Sequence, residues 1–152
     1  QSLNQADRNR TIPGRGRIGA IMPSVFSRML QGQEPGRFVY QDAHTVAIVS
    51  NTPVKPGHCI VFPREEVTNW LDLTPELAGR LMATCQKVGR AIAEAYQPVR
   101  VSLTIISIVV PHVHIHLVPA NSVPEVDFTK QDQKARPEDL DASAEKIRAA
   151  LK

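Results

Sequence analysis

Three histidines at alternating positions constrain this chain more than any other feature of its sequence. The segment from Pro111 to Pro119 reads PHVHIHLVP and holds three of the five histidines in the 152 residues. The intervening residues are branched aliphatics, which favour β-strands. On a strand, alternate side chains share one face, and successive ones lie about 7 Å apart. We therefore expect His112, His114 and His116 to point the same way from one strand.

A row of imidazoles on one face fits three interpretations. Buried imidazoles with hydrogen-bond partners can be purely structural. A metal site would need a further ligand from another element, such as His58 or Glu66. In phosphoryl or nucleotidyl transfer, one neutral imidazole attacks phosphorus while its neighbours hold phosphate oxygens or protonate the leaving group. This last chemistry needs no metal, and the residues alone leave all three interpretations open.

Length and composition predict one ordinary globular domain around these histidines. A chain of 152 residues can bury one sizeable core, and 42% hydrophobic with 22% charged residues is a typical globular composition. No apolar run approaches the 18 residues of a membrane span, so we expect no membrane contact. The two cysteines, Cys59 and Cys85, form no Cys-x-x-Cys pair. We therefore expect a reducing cytoplasm rather than a disulfide scaffold.

The net charge of +3 is concentrated in residues 1–21, which hold four arginines and one aspartate. Residues 22–152 balance 14 basic against 14 acidic side chains, so nucleic acid is not an expected partner. The first segment is also rich in Gln, Asn and Gly, and Met22 is a candidate natural start. We expect residues 1–21 to be a disordered leader or an extraneous segment, followed by a single domain over 22–152.

Periodicity and capping signals predict the element order α-β-β-β-α-β-β-α. The long helix has a clear start, with a threonine cap at Thr74 and a proline at its first position, and Pro98 stops it. The predicted segments are a helix at 24–32, strands at 37–42, 45–50 and 58–63, a helix at 75–96, strands at 99–106 and across the triad, and a helix at 137–151. Because strands come in runs, we expect an α+β fold with an antiparallel sheet.

His112 to Val118 resembles the His-φ-His-φ-His-φ-φ signature of the histidine-triad (HIT) superfamily of nucleotide hydrolases and transferases. A second hallmark, a loop ending in Pro-Gly-His before a hydrophobic strand and Pro-Arg, is similar to residues 53–64. The resemblance covers about residues 24–120 and is greatest to actinobacterial-type members. It implies a HIT-like fold, with a five-stranded antiparallel sheet, one long helix and shorter terminal helices. It also implies a homodimer that pairs the long helix and the fourth strand.

The resemblance assigns a role to each histidine. His114 aligns with the nucleophile that attacks the α-phosphate and forms a nucleotidyl-histidine intermediate. His116 aligns with a phosphate contact, and His112 with the residue that orients the nucleophile and assists the leaving group. His58 aligns with a supporting histidine on the neighbouring strand. No cofactor is implied.

The resemblance also places residues around a bound nucleotide. Three apolar residues of the first helix align with base contacts, and polar residues elsewhere align with the ribose and phosphate regions. The expected nucleotide-binding residues are Val25, Phe26, Met29, Ser50, Asn51 and Ser107. At Ser50, other members often carry an acidic residue that contacts the ribose hydroxyls.

Two further departures from the family pattern change what we expect of this chain. Zinc-binding members open with Cys-x-x-Cys and carry a later histidine, whereas this chain has Ser24, Ser27 and Glu66. We therefore expect no metal. The loop before the triad is normally polar and touches phosphate and leaving group. Here residues 106–110 read ISIVV, with Ile108 at the usual polar position.

The sequence thus predicts a metal-independent nucleotide hydrolase or nucleotidyl transferase for an AMP-like purine nucleotide. Its substrate would be a nucleoside phosphoramidate, an adenylate or a dinucleoside polyphosphate. The apolar loop motivates an alternative, a nucleotide-binding module with little catalytic turnover. A metal-dependent hydrolase is a third possibility.

Overall fold

Residues 22–152, which this computed structural model describes, contain three α-helices and five β-strands. The elements in chain order are α1 (Val25–Leu30), β1 (Phe38–Gln41), β2 (Thr45–Val49), β3 (Cys59–Pro63), α2 (Pro75–Tyr96), β4 (Arg100–Ile105), β5 (Ile115–Ala120) and α3 (Pro137–Ala150). Short 3-10 turns lie at Trp70–Asp72, Val123–Glu125 and Phe128–Lys130. The prediction for residues 1–21 lies outside the described residues.

The five strands form one antiparallel sheet in the order β1-β2-β3-β5-β4. Strands β3 and β5 are central neighbours, and Ile60 lies opposite His116 in their register. Among the strands of residues 22–152, β4 pairs with β5 alone and forms an edge of the sheet. The predicted α+β class with a five-stranded antiparallel sheet, one long helix and shorter terminal helices is confirmed.

Local signals define the long helix α2 at the predicted residues. The Thr74 side chain accepts a hydrogen bond from the Leu77 N–H, and Pro75 occupies the first turn. The helix ends where Gln97 adopts a left-handed conformation with φ 49°. Its buried side chains face the sheet together with α3, so the main core lies on this side.

A smaller core occupies the opposite face of the sheet, beneath α1. Successive side chains of β3 point to opposite faces of the sheet and so pack in different cores. Val61 packs in the main core, whereas Ile60 and Phe62 pack in the smaller one. Helix α1 contributes Phe26 and Met29 to the smaller core. This second face carries the candidate site.

The prediction that all three triad histidines lie on one strand is wrong. Strand β5 begins at Ile115, so only His116 belongs to it. The backbone before it leaves the ladder because the Val113 N–H donates to the Val67 carbonyl at 2.7 Å, and the His112 N–H donates to the Val110 carbonyl at 2.9 Å. These contacts place His112 and His114 in a separate segment with its own backbone partners.

No helix within residues 22–152 combines the length and the apolar composition that crossing a bilayer requires.

Candidate active site

A cavity of about 470 Å³ opens above the smaller core, beside β3 and β5. This volume lies in the range of small-molecule sites. Its lining residues are Val25, Phe26, Met29, Ile48, Ser50, Asn51, Thr52, Ile60, Ile106, Ser107, Ile108, Val109, Val110, His114, His116, Phe128 and Gln131. All six residues expected at the nucleotide are among them. Of the four histidines, His114 and His116 line the cavity, whereas His58 and His112 lie behind them.

The His114 ring is held by a carbonyl of its own segment. Its Nδ1 lies 2.7 Å from the His112 carbonyl oxygen, and a carbonyl only accepts, so Nδ1 carries the proton. The other nitrogen, Nε2, has no hydrogen-bond partner among the described residues. A neutral imidazole with this tautomer has a free lone pair on Nε2, which is the form that attacks an electrophile.

Ser107 makes further contacts with His114. Its Oγ accepts a hydrogen bond from the His114 N–H at 3.2 Å and lies 3.3 Å from Nδ1. Ser107 adopts a left-handed conformation with φ 51°, which is uncommon for a residue with a Cβ. The loop 106–110, which we call the apolar loop, is therefore joined to the nucleophile candidate through this one hydroxyl.

A second histidine pair links His116 to the loop before β3. The Val54 N–H donates to Nδ1 of His58 at 2.9 Å, so the His58 proton resides on Nε2. That Nε2–H lies 2.9 Å from Nδ1 of His116 and donates to it. The proton of neutral His116 is consequently on its Nε2, which makes this cavity-lining histidine a hydrogen-bond donor.

Burial keeps all four imidazoles neutral at neutral pH. Desolvation is the largest cause in each case, and it lowers the pKa of His58 to about 3 and that of His116 to about 4. The mutual repulsion of protonated neighbours lowers both values further. Burial also lowers the pKa of His112 and His114, against hydrogen bonds to backbone carbonyls that raise them.

His112 anchors the segment that carries His114. It is fully buried, and its Nε2–H donates to the Pro63 carbonyl at 2.7 Å. Its Nδ1 lies 2.6 Å from the Ser24 hydroxyl, which therefore donates to it. Ser24 is also the N-cap of α1, and its backbone N–H donates to Glu66 at 2.6 Å. One polar cluster thus ties the first helix to the carbonyl that holds His114.

Aromatic rings pack against the histidines from two sides. Phe26 lies 4.8 Å from His114 and stacks on Phe62 at 4.7 Å between ring centroids. Phe128 lies 4.8 Å from His116 and 6.0 Å from His58. The sequence indicated Phe26, but it gave no indication of Phe128, which follows β5 in an irregular segment.

Gln131 and Thr52 also line the cavity without having been predicted. The Gln131 amide donates to the carbonyl and the hydroxyl oxygen of Thr52, both at 3.2 Å. No motif marks either residue. Only the tertiary contact between the segment after β5 and the loop after β2 brings them together.

The apolar loop forms the exposed rim of the cavity. Ile108 is 83% exposed and Val109 is 92% exposed, whereas Ile106 is 41% exposed. Val110 turns inward and packs against the smaller core. This rim contrasts with the histidines, each of which is less than a tenth exposed.

Solved structures share this arrangement of sheet and helices. A HIT-like protein from Bartonella henselae is 27% identical with a TM-score of 0.74, and the match covers 85% of this chain and 96% of that one. A zinc-bound histidine triad family protein from Mycobacterium smegmatis is 26% identical with a TM-score of 0.72, covering 86% and 94%. The predicted HIT-like fold is confirmed.

The zinc of the second structure raises the question of whether this chain could hold one. The residues at the family's zinc positions do converge here, since Ser24 contacts both His112 and Glu66. However, zinc sites use thiolates, imidazoles and carboxylates, and neutral hydroxyls are not among their usual ligands. Between residues 22 and 152, no three His, Cys, Asp or Glu side chains are grouped as a metal site would need. The cluster does not fit a structural zinc ion.

Similar sequences include a HIT-like protein and two proteins named for activities on adenine nucleotides. A HIT-like protein of Saccharolobus solfataricus is 28% identical over 120 residues, covering 74% of this chain and 86% of the relative. A bis(5′-adenosyl)-triphosphatase/adenylylsulfatase of Arabidopsis thaliana is 32% identical over 139 residues, covering 86% and 76%. An adenosine 5′-monophosphoramidase of Schizosaccharomyces pombe is 26% identical over 133 residues, covering 86% and 100%.

The HIT domain model matches residues 31–123. That stretch is more than half of the chain and includes the Pro-Gly-His loop, the apolar loop and the complete triad. With the shared fold and the convergent histidines, it leads to one assignment: this chain belongs to the HIT domain family.

Proposed function

We propose that this chain is a nucleotide hydrolase or nucleotidyl transferase that forms a covalent intermediate on His114. Its substrate is a nucleoside phosphoramidate, an adenylate or a dinucleoside polyphosphate with an AMP-like purine nucleotide. One observation carries this proposal: Nδ1–H of His114 donates a hydrogen bond to the His112 carbonyl at 2.7 Å, which leaves the lone pair of Nε2 free at a cavity-lining residue.

The proposed reaction has two steps. Nε2 of His114 bonds to the α-phosphorus, and the bond from phosphorus to the leaving group breaks with its electron pair on the leaving atom. His116 donates its Nε2–H to a phosphate oxygen and stabilises the charge there. Water then attacks the phosphorus, releases the nucleoside monophosphate and restores neutral His114. Overall, one water supplies a proton to the leaving group and a hydroxyl to the phosphate.

The remaining histidines position this pair. His58 fixes the tautomer of His116, and His112 presents the carbonyl that fixes the tautomer of His114. Val25, Phe26 and Met29 supply the apolar surface for the base. We assign Ser50 and Asn51, which also line the cavity, to the ribose, and Ser107 contacts the proposed nucleophile His114.

The family relatives support a nucleotide hydrolase in general. They include a bis(5′-adenosyl)-triphosphatase and an adenosine 5′-monophosphoramidase, which both act on phosphorus bonds of adenine nucleotides. The apolar loop favours a second candidate, a nucleotide-binding module with little turnover. Its side chains Ile106, Ile108 and Val109 offer no hydrogen bond to a phosphate oxygen.

A trapping experiment separates these candidates. The protein is mixed with adenosine 5′-phosphoramidate, quenched within milliseconds and digested, and the peptide carrying the triad is analysed by mass spectrometry. We expect a transient adenylyl group on His114 and stoichiometric AMP in solution. Binding of AMP with neither product nor adduct would favour the module. Excess chelator should leave the rate unchanged, and a loss that zinc restores would favour the metal-dependent alternative.

We also propose a homodimer, with the cytoplasm as its location. Strand β4 is an edge of the sheet, and exposed apolar side chains lie on it, just before it and on α2, namely Leu103, Val99 and Met82. Both free thiols, Cys59 and Cys85, are buried, which suits a reducing compartment. Light scattering on the purified protein tests the dimer. A monomeric mass at micromolar concentration would contradict it.

A further inference from the structure

The cavity is lined without a single charged side chain among the described residues. Its surface consists of aliphatic, aromatic, imidazole, hydroxyl and amide groups. Arg37 approaches it, with Nη1 at 3.4 Å from the Asn51 side-chain oxygen. Its Nε, however, is paired with the Asp141 carboxylate at 2.6 Å. Within residues 22–152, the lining of the cavity therefore includes no Lys or Arg side chain.

This lack of charge limits how much phosphate the cavity can hold. Sites for chains of several ionised phosphates neutralise them with Lys, Arg or a divalent cation, because burying uncompensated charge is costly. Here the donors near the nucleophile are neutral: the Nε2–H of His116 and the hydroxyl of Ser107. Such a set suits one phosphate with a single negative charge.

The apolar loop offers a place for the other part of the substrate. The buried apolar residues under α1 take the base in the proposed function, whereas Ile108 and Val109 remain exposed to solvent at the rim. Exposed aliphatic side chains that line a cavity mark a surface that an apolar group covers. The loop is joined to His114 through Ser107, so whatever covers it lies next to the reacting centre.

We infer that the substrate joins a single nucleoside 5′-phosphate to an apolar alkyl or aryl leaving group, which lies against Ile108 and Val109. This inference rests on the proposed function and narrows it to one substrate class. Nε2 of His114 displaces the leaving nitrogen or oxygen from phosphorus, and water hydrolyses the intermediate. The leaving atom takes a proton from solvent as it departs, the water of the second step returns one proton to solvent, and no oxidant or further reactant is needed.

Three adenosine substrates test the inference on the wild-type protein. Two are 5′-phosphoramidates of equal chain length, one of heptylamine and one of 2-(2-methoxyethoxy)ethylamine, so that they differ in polarity and not in charge. The third is diadenosine triphosphate. We expect kcat/KM for the heptyl compound to exceed that of the ether compound by at least about tenfold. The polyphosphate should be the poorest of the three.

Variants of the exposed loop residues then show whether these side chains cause the preference for the apolar leaving group. In the double variant Ile108→Ser with Val109→Ser, we expect the ratio of the two phosphoramidates to fall to within about twofold. Val123→Ser is the matched control, because Val123 is 88% exposed and does not line the cavity. It should keep the wild-type ratio. Light scattering on each variant detects any change in assembly.

The outcomes distinguish a failure of the leaving-group inference from a failure of the proposed function. AMP release that depends on His114 but shows no preference between the phosphoramidates, or the fastest turnover of the triphosphate, overturns the leaving-group inference alone. A preference that persists in the double variant, or that disappears only together with a change of oligomeric mass, also overturns it. The absence of His114-dependent release from all three substrates overturns the proposed function as well.

Discussion

The two sides of the cavity differ in burial and in hydrogen bonding. On one side, His114 and His116 are buried, and each has its Nδ1 hydrogen-bonded within the protein. On the other side, Ile108 and Val109 of the apolar loop are almost fully exposed and can make no side-chain hydrogen bond. The histidine side has one defined arrangement, whereas the loop side is held by Ser107, by the packing of Val110 and by the Val110 carbonyl, which accepts a hydrogen bond from the His112 N–H.

This difference separates reactivity from selectivity. Buried hydrogen-bonded networks fix tautomers and orientations because every alternative leaves a buried polar group unpaired. Exposed loops tolerate substitution and commonly carry specificity. Changes on the histidine side should therefore lower turnover for every substrate, and changes in the loop should alter the ranking among substrates.

The largest effect is expected from replacing the proposed nucleophile, His114. His114→Asn removes the lone pair that bonds to phosphorus, and kcat for adenosine 5′-phosphoramidate should fall by about 10³-fold or more. The covalent adduct should disappear in the same variant. His44→Gln is the control because His44 is exposed on the surface, and it should retain wild-type activity. An active His114→Asn protein would remove the basis of the proposed mechanism.

A smaller loss is expected from breaking the link behind His116. His58→Asn takes away the donor that holds Nδ1 of His116, so the Nε2–H is no longer fixed toward the phosphate. We expect kcat to fall by about 10–100-fold, similar to the loss of other orienting partners. Thermal melting identifies any variant that fails to fold. A folded His58→Asn protein with unchanged kcat would show that this contact is dispensable.

The pH dependence tests the burial of the histidine side. In the proposed mechanism His114 and His116 act as neutral imidazoles, and burial lowers their pKa below the ordinary value of 6.5, to about 4 for His116. The rate should therefore change by less than about twofold between pH 7.5 and 6.5. It should fall only as the pH drops through the lowered pKa values. A midpoint at or above 6.5 in kcat/KM would contradict the burial.

The same shifts predict how stability depends on pH. The unfolded chain binds protons at its histidines below pH 6.5, while folded His58 and His116 stay neutral down to about 3 and about 4. The unfolded state then carries more protons, so the free energy of unfolding decreases as the pH falls below 6.5. Urea titrations at pH 7.5 and 4.5 should differ by on the order of 2–5 kcal/mol. Equal midpoints at the two pH values would be inconsistent with buried neutral imidazoles.

Sequence reasoning located most of the site and missed features that depend on tertiary contact. The Pro-Gly-His loop and the alternating histidines are local patterns, so the four histidines and the bounds of α2 could be predicted. The break before β5 could not, because it depends on the Val113 N–H reaching Val67, 46 positions earlier in the numbering. Phe128 was missed for the same reason, since nothing in its own segment indicates that it contacts His116.

Ser107 lies in the apolar loop but contacts the histidine side of the cavity, and its replacement should have the smallest effect on turnover. Its hydroxyl contacts His114, and its backbone adopts φ 51°, so two variants can separate these properties. Ser107→Ala removes the hydroxyl and keeps a Cβ at the left-handed position, whereas Ser107→Gly removes both. If the hydroxyl positions His114, both variants should lose about threefold in kcat. The glycine variant should melt at a temperature equal to or higher than that of the alanine variant, because glycine adopts a positive φ without strain. If only Ser107→Gly loses activity, the rigidity of the loop matters more than its hydrogen bond, and the apolar loop takes part in catalysis as well as in selectivity.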